Sequence, residues 1–480
     1  MKLNMLLQGV EVLELHADGD MDVRDVSYDS RRVEPGNLFV AISGFETDGY
    51  KYIGSAIEKG AAVILCERRP EQDVPYVLVQ DARKALALTS CNYFGRPGDT
   101  MTVIGVTGTN GKTTSTMLIK HLLETQLGAK VGLIGTNQNM IGDTVVPTER
   151  TTPESYELQK LLRDMADSGC THAVMEVSSH SLVLSRVAGL HFAVGLFTNL
   201  TQDHLDFHKT MDAYAEAKAL LFSHCEKGGV NLDDAYADVM LQNAKCPIFT
   251  WSAEKNEADL VAKDIRLAAG GIRFCALAGE KLERVKLGIP GRFSVYNAMT
   301  VITCGLLLGI ELEKCCAALT DAQGVKGRVE VVPGTEDYTI LIDYAHTPDA
   351  LENVLRSMRE VTDGRLVALF GCGGDRDRTK RPIMGRIGTE NADFCIITSD
   401  NPRTEVPEAI IEDILAGVKC PKNRYKVITD RREAIAWAMK NHQSGDVLLL
   451  CGKGHETYQI IGKEKFHMDE REIVAENLAG

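Results

Sequence analysis

The stretch MTVIGVTGTNGKTTSTMLIKHLLE, residues 101–124, constrains the fold of this chain more than any other. A short apolar run leads through Gly105, Gly108 and Gly111 into a segment with apolar residues at helical spacing. A strand, a glycine loop and a helix are therefore predicted in succession. Backbone N–H groups and the helix N-terminus of such a unit can cradle phosphate, Lys112 can reach a terminal phosphate, and the Thr113 hydroxyl can ligate Mg²⁺. The strict pattern G-x-x-x-x-G-K-[ST] is missed, because Val106 stands where its first glycine belongs. Taken alone, the loop can also be read as a plain Gly/Thr turn.

The same alternation recurs downstream. VIGV, VGLIG, HAVMEV and VGLFT, then TILID, RLVALF, FCIIT and DVLLL, are short apolar runs separated by amphipathic stretches. That is the pattern of parallel sheets covered by helices. Polar, glycine-rich or charged strings follow these runs directly: SSHSLVLSR, NLTQDHLDFH, YAHTPDALEN, GCGGDRDRTKR, SDNPRTE and GKGHETYQ. Ligands of open α/β sheets bind beyond the carboxyl ends of the strands, so two strand-end clefts are predicted. A chain of 480 residues exceeds one core. Joints are expected at Gly95-Arg96-Pro97-Gly98-Asp99 and in the Gly/Pro-punctuated segment 324–338. The expected division is α/β throughout, with domains 1–98, 99–331 and 332–480.

A formal charge of -14 argues against nucleic acid as a general partner, so any anionic ligand has to be held by local donors. The 13 cysteines, scattered without a C-x-x-C, suggest neither a disulfide framework nor a zinc ribbon. A reducing, cytoplasmic setting is expected. No apolar run approaches the ~18 residues of a membrane span, and the N-terminus is too short for a signal h-region.

Glu176, ending HAVMEV, and His204, in TQDHLDFH, are natural partners for a divalent ion near the glycine loop. For His204 alone, a satisfied structural histidine is an equally good account. On DAYAEAKALLF, Tyr214 and Lys218 lie one helical turn apart. A lysine there is ordinarily solvated, and the residues alone give it no role.

The ordered series TGTNGKTT, RTTPES, EVSSHSLVLSR, NLTQDHLDFH, AYAEAKALLF, GRFSVYNA, KGRVEVV, DYAHTPDALENVL, GCGGDRDRTKRP, SDNPRTE and GKGHETYQ resembles the Mur ligases of peptidoglycan precursor synthesis. With YDSRRVEPGNLFVAISG near the start, the resemblance spans nearly the whole chain and is strongest to the ligases that add the third amino acid. It implies an N-terminal α/β domain for a uridine nucleotide, a central P-loop ATPase domain with a mostly parallel sheet, and a Rossmann-like C-terminal domain carrying the incoming amino acid. The implied reaction has ATP phosphorylate the free D-glutamate carboxylate of UDP-MurNAc-L-Ala-D-Glu. An amine then attacks the acyl phosphate to give an amide, ADP and phosphate. A monomer is expected.

Site residues follow from the same resemblance. Lys112, Glu176, His204 and Lys218 match catalytic positions, and Thr113 with the last three of these matches the Mg²⁺ site, with Lys218 carbamylated by CO₂. Gly108, Thr109, Asn110, Gly111, Lys112, Thr113, Thr114, Asn297 and Arg328 match ATP contacts. So do Asp343, Tyr344 and His346, in the segment by which the C-terminal domain closes on ATP. Tyr28, Ser30, Thr151, Thr152, Ser178 and Arg186 match positions holding the uridine substrate, Arg186 offering a fork of donors to an anion. Leu184, Phe45-Glu46-Thr47 and Ser294 depart from residues common in the family.

The string SDNPRTE raises a separate question, namely what its arginine reads. In the family, ligases that take meso-diaminopimelate carry D-N-P-R here, and lysine-adding relatives generally lack the arginine. Diaminopimelate is lysine with one more carboxylate on the carbon bearing the far amine, and a guanidinium fork matches that carboxylate. Pro402 stiffens the loop, Asn401 offers a donor and an acceptor, and Glu456 can pair with the ammonium. Asp400, Gly452 and Arg376 match further amino-acid contacts. The readings set against this one are the same ligase using L-lysine, folylpolyglutamate synthetase, and an ATP-dependent binding protein without catalysis.

Overall fold

The computed structural model describes residues 1–479 except Phe45, Glu46, Glu149 and Gln323, so the Phe45-Glu46 part of the departing triplet lies outside the described residues. The chain divides into two compact units, Met1–Leu260 with Thr300–Glu311, and Val261–Met299 with Leu312–Gly480.

In the first unit, five strands run in the order Val12–His16, Tyr76–Val79, Val63–Cys66, Leu38–Val40, Val26–Ser27. Only the first of these pairs antiparallel. A second sheet carries Ile248–Ser252, Cys225–Asn231, Phe192–Phe197, Thr102–Thr107, His172–Glu176 and Val131–Ile134 in parallel, ending in the antiparallel strands Asn139–Ile141 and Thr144–Val146. The expected strands VIGV, VGLIG, HAVMEV and VGLFT all lie here. Helix Ser155–Asp167 covers one face, its Leu158, Leu162 and Met165 packing with Val103, Ala173, Met175 and Phe192. Helix Lys112–Leu127 packs on three strands, Thr102–Thr107, Val131–Ile134 and His172–Glu176. Register fixes what matters for the site: Glu176 pairs with Val106 and Phe197 with Thr107, so three strands end level beside the glycine loop.

In the second unit the sheet order is Glu330–Val332, Thr339–Asp343, Val447–Cys451, Leu366–Phe370, Phe394–Ile397, Tyr425–Val427. All but the first strand are parallel. Alternate residues face opposite cores, as a strand's two-residue repeat requires. Leu341, Ala368, Phe370, Ile397 and Leu449 pack with Leu351, Leu355, Met384 and Ile411 on one side. Ile340, Ile342, Leu369, Ile396 and Leu450 meet Ala434, Ile435, Ile473 and Val474 on the other. Both faces being buried explains why these strands read as unbroken apolar runs. Each buried Leu or Ile contributes about 1.5–3 kcal/mol to that packing.

The strands Leu260–Ala268, Gly271–Ala278 and Lys281–Leu287 were not anticipated from sequence, and the last two pair antiparallel. Each of the thirteen cysteines carries a free thiol. Among the described residues no helix is long and apolar enough to cross a membrane.

Candidate active site

In the first unit the glycine loop closes the strand Thr102–Thr107 and opens the helix Lys112–Leu127. Gly108 has φ 147°, and a Cβ there would stand 1.9 Å from Thr198 Oγ1, so only glycine fits. Thr198 Oγ1 in turn donates to the Asn110 carbonyl at 2.7 Å, and Asn199 Oδ1 accepts from the Asn110 N–H at 2.9 Å. The loop is thus held from the neighbouring strand end while its helix N-terminus stays available to an anion.

Two lysines converge on one carbonyl. Lys112 Nζ donates to Gly108 O at 2.9 Å and Lys218 Nζ donates to the same oxygen at 2.8 Å. Lys218 is 1% exposed, which corrects the solvated lysine expected from the helix pattern. Burial, and then the charge of Lys112, push its ammonium well below the usual lysine range. Tyr214, one turn away, places its ring 4.6 Å from that nitrogen and its hydroxyl 3.2 Å from Thr109 Oγ1.

Glu176 is 1% exposed and accepts from the Thr113 hydroxyl at 2.9 Å, the Thr136 N–H at 2.8 Å and the Thr136 hydroxyl at 3.0 Å. Thr136 was missed by sequence reasoning, although it directly follows the strand run VGLIG. His204 sits in the left-handed region at φ 51°, its ring edge-on to His180 at 4.9 Å. Burial, reinforced by His180, depresses the neighbouring His208 to about 4.

Of the residues expected at the uridine substrate, Thr151, Thr152 and Ser178 adjoin Glu176 or its partner Thr136. Thr152 Oγ1 donates to Glu176 O at 2.8 Å and accepts from Ser178 N at 3.1 Å, and Thr151 Oγ1 lies 2.9 Å from Thr136 Oγ1. Arg186 donates to Thr152 O at 3.1 Å and to Glu154 at 3.2 Å. Arg83 and Arg150 also approach Glu154, at 4.0 and 3.7 Å, so three guanidinium groups share one carboxylate. That excess of positive charge suits an anionic ligand, and neither arginine was singled out from sequence. Tyr28 bonds Glu157 at 2.9 Å, and Ser30 accepts from Lys59 through its carbonyl at 2.9 Å. Leu184 caps the helix Ser179–Val183.

In the second unit, Ser294 is buried and donates to Pro290 O at 2.9 Å, so it helps to hold the start of its helix. Asn297 lies on the same helix, Phe293–Leu307. Asp343 accepts from Val329 N and Ala345 N, both at 2.8 Å, and burial pushes its carboxyl up. Tyr344 lies between His346 and His455, with ring centroids 4.6 and 4.9 Å away, and Arg328 stands 5.6 Å over its ring.

Beyond the next three strands the loops are tied together. Gly374 N donates to Asn401 O at 2.9 Å and Arg403 Nη1 donates to Gly374 O at 2.9 Å. Arg403 has φ 52°, held by Arg403 N to Ile460 O at 3.1 Å and Gly462 N to Arg403 O at 2.7 Å. The stiff loop expected from Pro402 therefore has a left-handed residue after it, pinned by the hairpin Tyr458–Ile461/Glu464–His467. Arg376 is exposed, donating to Asp375 O at 3.1 Å. Asp400 is 7% exposed, and its Oδ2 has no hydrogen-bond partner among the described residues. Gly452 leaves room for that oxygen, since a Cβ there would stand 2.6 Å from it.

One expectation needs correction: Asn401 does not offer an acceptor. Its Oδ1 is taken by Lys453 Nζ at 2.8 Å and Ile460 N at 2.9 Å, while Nδ2 donates to Glu456 Oε2 at 3.0 Å. The amide presents only N–H outward. Behind the loop, buried Arg381 clamps Glu405 at 2.7 and 2.9 Å and Asp413 at 2.9 Å.

Hydrogen bonding to Arg381 lowers the Glu405 pKa from 4.5 to about 2. A depressed carboxylate stabilises the fold above its unfolded pKa and loses that contribution as pH falls toward the folded one. The gap in melting temperature between the native chain and Glu405→Gln is therefore expected to be full above pH 4.5 and to shrink below it, and a gap independent of pH contradicts this. A Cβ on Gly374 would lie 1.9 Å from Pro402 O. Gly374→Ala is expected to displace the arginine loop and raise the KM of any ligand read by Arg403 by about tenfold or more, with the other substrates' KM values unchanged.

Three family models match the chain in succession: "Mur ligase family, catalytic domain" over residues 22–93, "Mur ligase middle domain" over 106–305 and "Mur ligase, glutamate ligase domain" over 327–454. A protein of Clostridium botulinum named UDP-N-acetylmuramoyl-L-alanyl-D-glutamate–2,6-diaminopimelate ligase is 47% identical, the match covering 99% of each chain. The protein of the same name from Caldanaerobacter subterraneus subsp. tengcongensis is 48% identical, over 100% of this chain and 99% of that one. A solved structure of a ligase with this name superposes with a TM-score of 0.76 at 32% identity, covering 100% of this chain and 99% of the other.

Proposed function

The chain belongs to the Mur ligase family, and from that premise we propose that it joins meso-2,6-diaminopimelate to the D-glutamate side-chain carboxylate of UDP-MurNAc-L-Ala-D-Glu. ATP is split to ADP and phosphate. The observation that carries this reading is the loop cluster of the second unit, where Arg403, Asn401 and Glu456 present donors and an acceptor side by side. A carbon bearing both an ammonium and a carboxylate needs that pattern. The domain division 1–98, 99–331 and 332–480 goes with it, supported by the three successive family matches.

A carboxylate is a poor acyl donor because oxide leaves badly. Transfer of the ATP γ-phosphoryl group to it creates an acyl phosphate, and the amine then forms the C–N bond as phosphate departs with the C–O electrons. Charge between two anions has to be neutralised for the first step, which the loop N–H groups and Lys112 supply. Asn297, Arg328, Asp343, Tyr344 and His346 are assigned to the nucleotide. Tyr28, Ser30, Thr151, Thr152, Ser178 and Arg186 are assigned to the uridine substrate, with Arg186 on its anionic part.

The donor set fits Mg²⁺. Thr113 and Glu176 place two hard oxygens 2.9 Å apart, and among the described residues no group of three or more His, Cys, Asp or Glu side chains could hold a metal. Mg²⁺ characteristically takes one or two carboxylates and completes its shell with water and phosphate. Thr113 and Glu176 would hold it, with His204 and carbamylated Lys218 assigned to the same site, and it would neutralise the charge of the transferring phosphoryl group. Lys218 is suited to carbamylation because burial and the Lys112 charge favour its neutral amine, the form that adds CO₂. That amine adds CO₂ and sheds one proton, and the carbamate N–H can still donate to Gly108 O.

The test is phosphate release from ATP with each substrate omitted in turn. Turnover requires the uridine peptide and diaminopimelate together. Nucleotide binding without substrate-dependent release would favour the non-catalytic reading.

A further inference from the structure

We propose that Lys453 is a positioning residue that sets the polarity of the amino-acid site, a role that rests on the reading of Asn401, Arg403 and Glu456 as the diaminopimelate contacts. Lys453 lies between Gly452 and Gly454, at φ 112° and 52°, and is 0% exposed. It donates to Asn401 Oδ1 at 2.8 Å and to Glu456 Oε2 at 2.7 Å.

Both partners are themselves assigned to the ligand, and that gives the lysine its leverage. An asparagine amide can present either its oxygen or its N–H₂. Lys453 and Ile460 N fix the oxygen inward, so the outward group is a donor suited to a carboxylate. A buried ammonium also requires a counter-charge, and Glu456, 2.7 Å away, supplies it and is anchored in return. With Oε2 occupied by Lys453 and Asn401, Glu456 has Oε1 left for a ligand ammonium. One buried cation thereby orders donor and acceptor in the sequence that matches a zwitterionic carbon and fails to match the bare amine end of lysine.

Without the cation, Asn401 can turn its oxygen outward against the ligand carboxylate, and Glu456 loses its anchor. Lys453→Met is expected to raise the KM for diaminopimelate about 30-fold, the loss of one charge-assisted hydrogen bond and its geometry. It should also lower the kcat/KM ratio of diaminopimelate to L-lysine at least tenfold, with KM values for ATP and the uridine peptide within about threefold of native. Lys453→Gln, which keeps a donor toward Asn401, should give a smaller shift of the same pattern.

The experiment is steady-state kinetics on the full chain with each substrate varied, for native, Lys453→Met and Lys453→Gln. A native chain that does not prefer diaminopimelate overturns the underlying reading of the site. A native chain that prefers it, with variants that keep its ratio and KM, overturns the role of Lys453 alone. Equal losses for all three substrates, or failure of both variants to accumulate as folded protein, make Lys453 a stability residue and also overturn the proposal.

Discussion

Arg403→Ala is expected to lower kcat/KM for meso-diaminopimelate by about 10³-fold, as a rise in the amino acid's KM, with the KM values of ATP and the uridine peptide unchanged. The guanidinium already gives one N–H of Nη1 to Gly374 O, which fixes its direction, and its five donors leave others free for a carboxylate. Removing them leaves the ligand's extra carboxylate without its guanidinium partner. Arg403→Lys keeps the charge and loses the fork, so its loss should be smaller by about tenfold. Turnover of L-lysine, which has no carboxylate there, should be nearly insensitive to either change. A loss that fell equally on both amino acids, or on ATP, would show that Arg403 supports the loop rather than reads the ligand.

The second large effect belongs to Lys218. An unperturbed lysine is a free amine only about one time in a thousand near neutral pH, too little to hold CO₂ well. Burial and the nearby Lys112 charge shift that balance toward the free amine here. Lys218→Ala is expected to reduce turnover by about 10³-fold, because an anion that balances the phosphate-site cations is lost. The native chain supplied with ¹³C-labelled bicarbonate should show a carbamate carbon signal that is absent from Lys218→Ala. A variant with near-native turnover, or a native chain with no such signal at full activity, would contradict the carbamate.

Much of this was legible in the sequence where the chemistry is local. A glycine loop between an apolar strand and a helix has few alternatives, and TGTNGKTT proved to be that unit. The parallel strands were legible because both their faces are buried, which removes polar interruptions. The half-exposed strands 271–287 alternate polar and apolar residues, and they were not anticipated.

Long-range side-chain bonding was the illegible part. Lys218 read as solvated because its helix, Met211–Ala219, shows little sidedness, yet its nitrogen reaches Gly108 across 110 residues. The direction of the Asn401 amide depends on Lys453, 52 residues away, and no local pattern encodes it. Thr136, Arg83 and Arg381 escaped for the same reason: each acts on a partner distant in the chain.

Selection of the amino acid by this ligase then rests on the carboxylate that Arg403 can grasp. The most direct measurement offers the native chain equimolar meso-diaminopimelate and L-lysine with ATP and UDP-MurNAc-L-Ala-D-Glu, and weighs the product by mass spectrometry. The diaminopimelate tripeptide is expected almost exclusively, with an excess of at least about 10³. Comparable amounts of the two products, or a predominance of the lysine tripeptide, would contradict it.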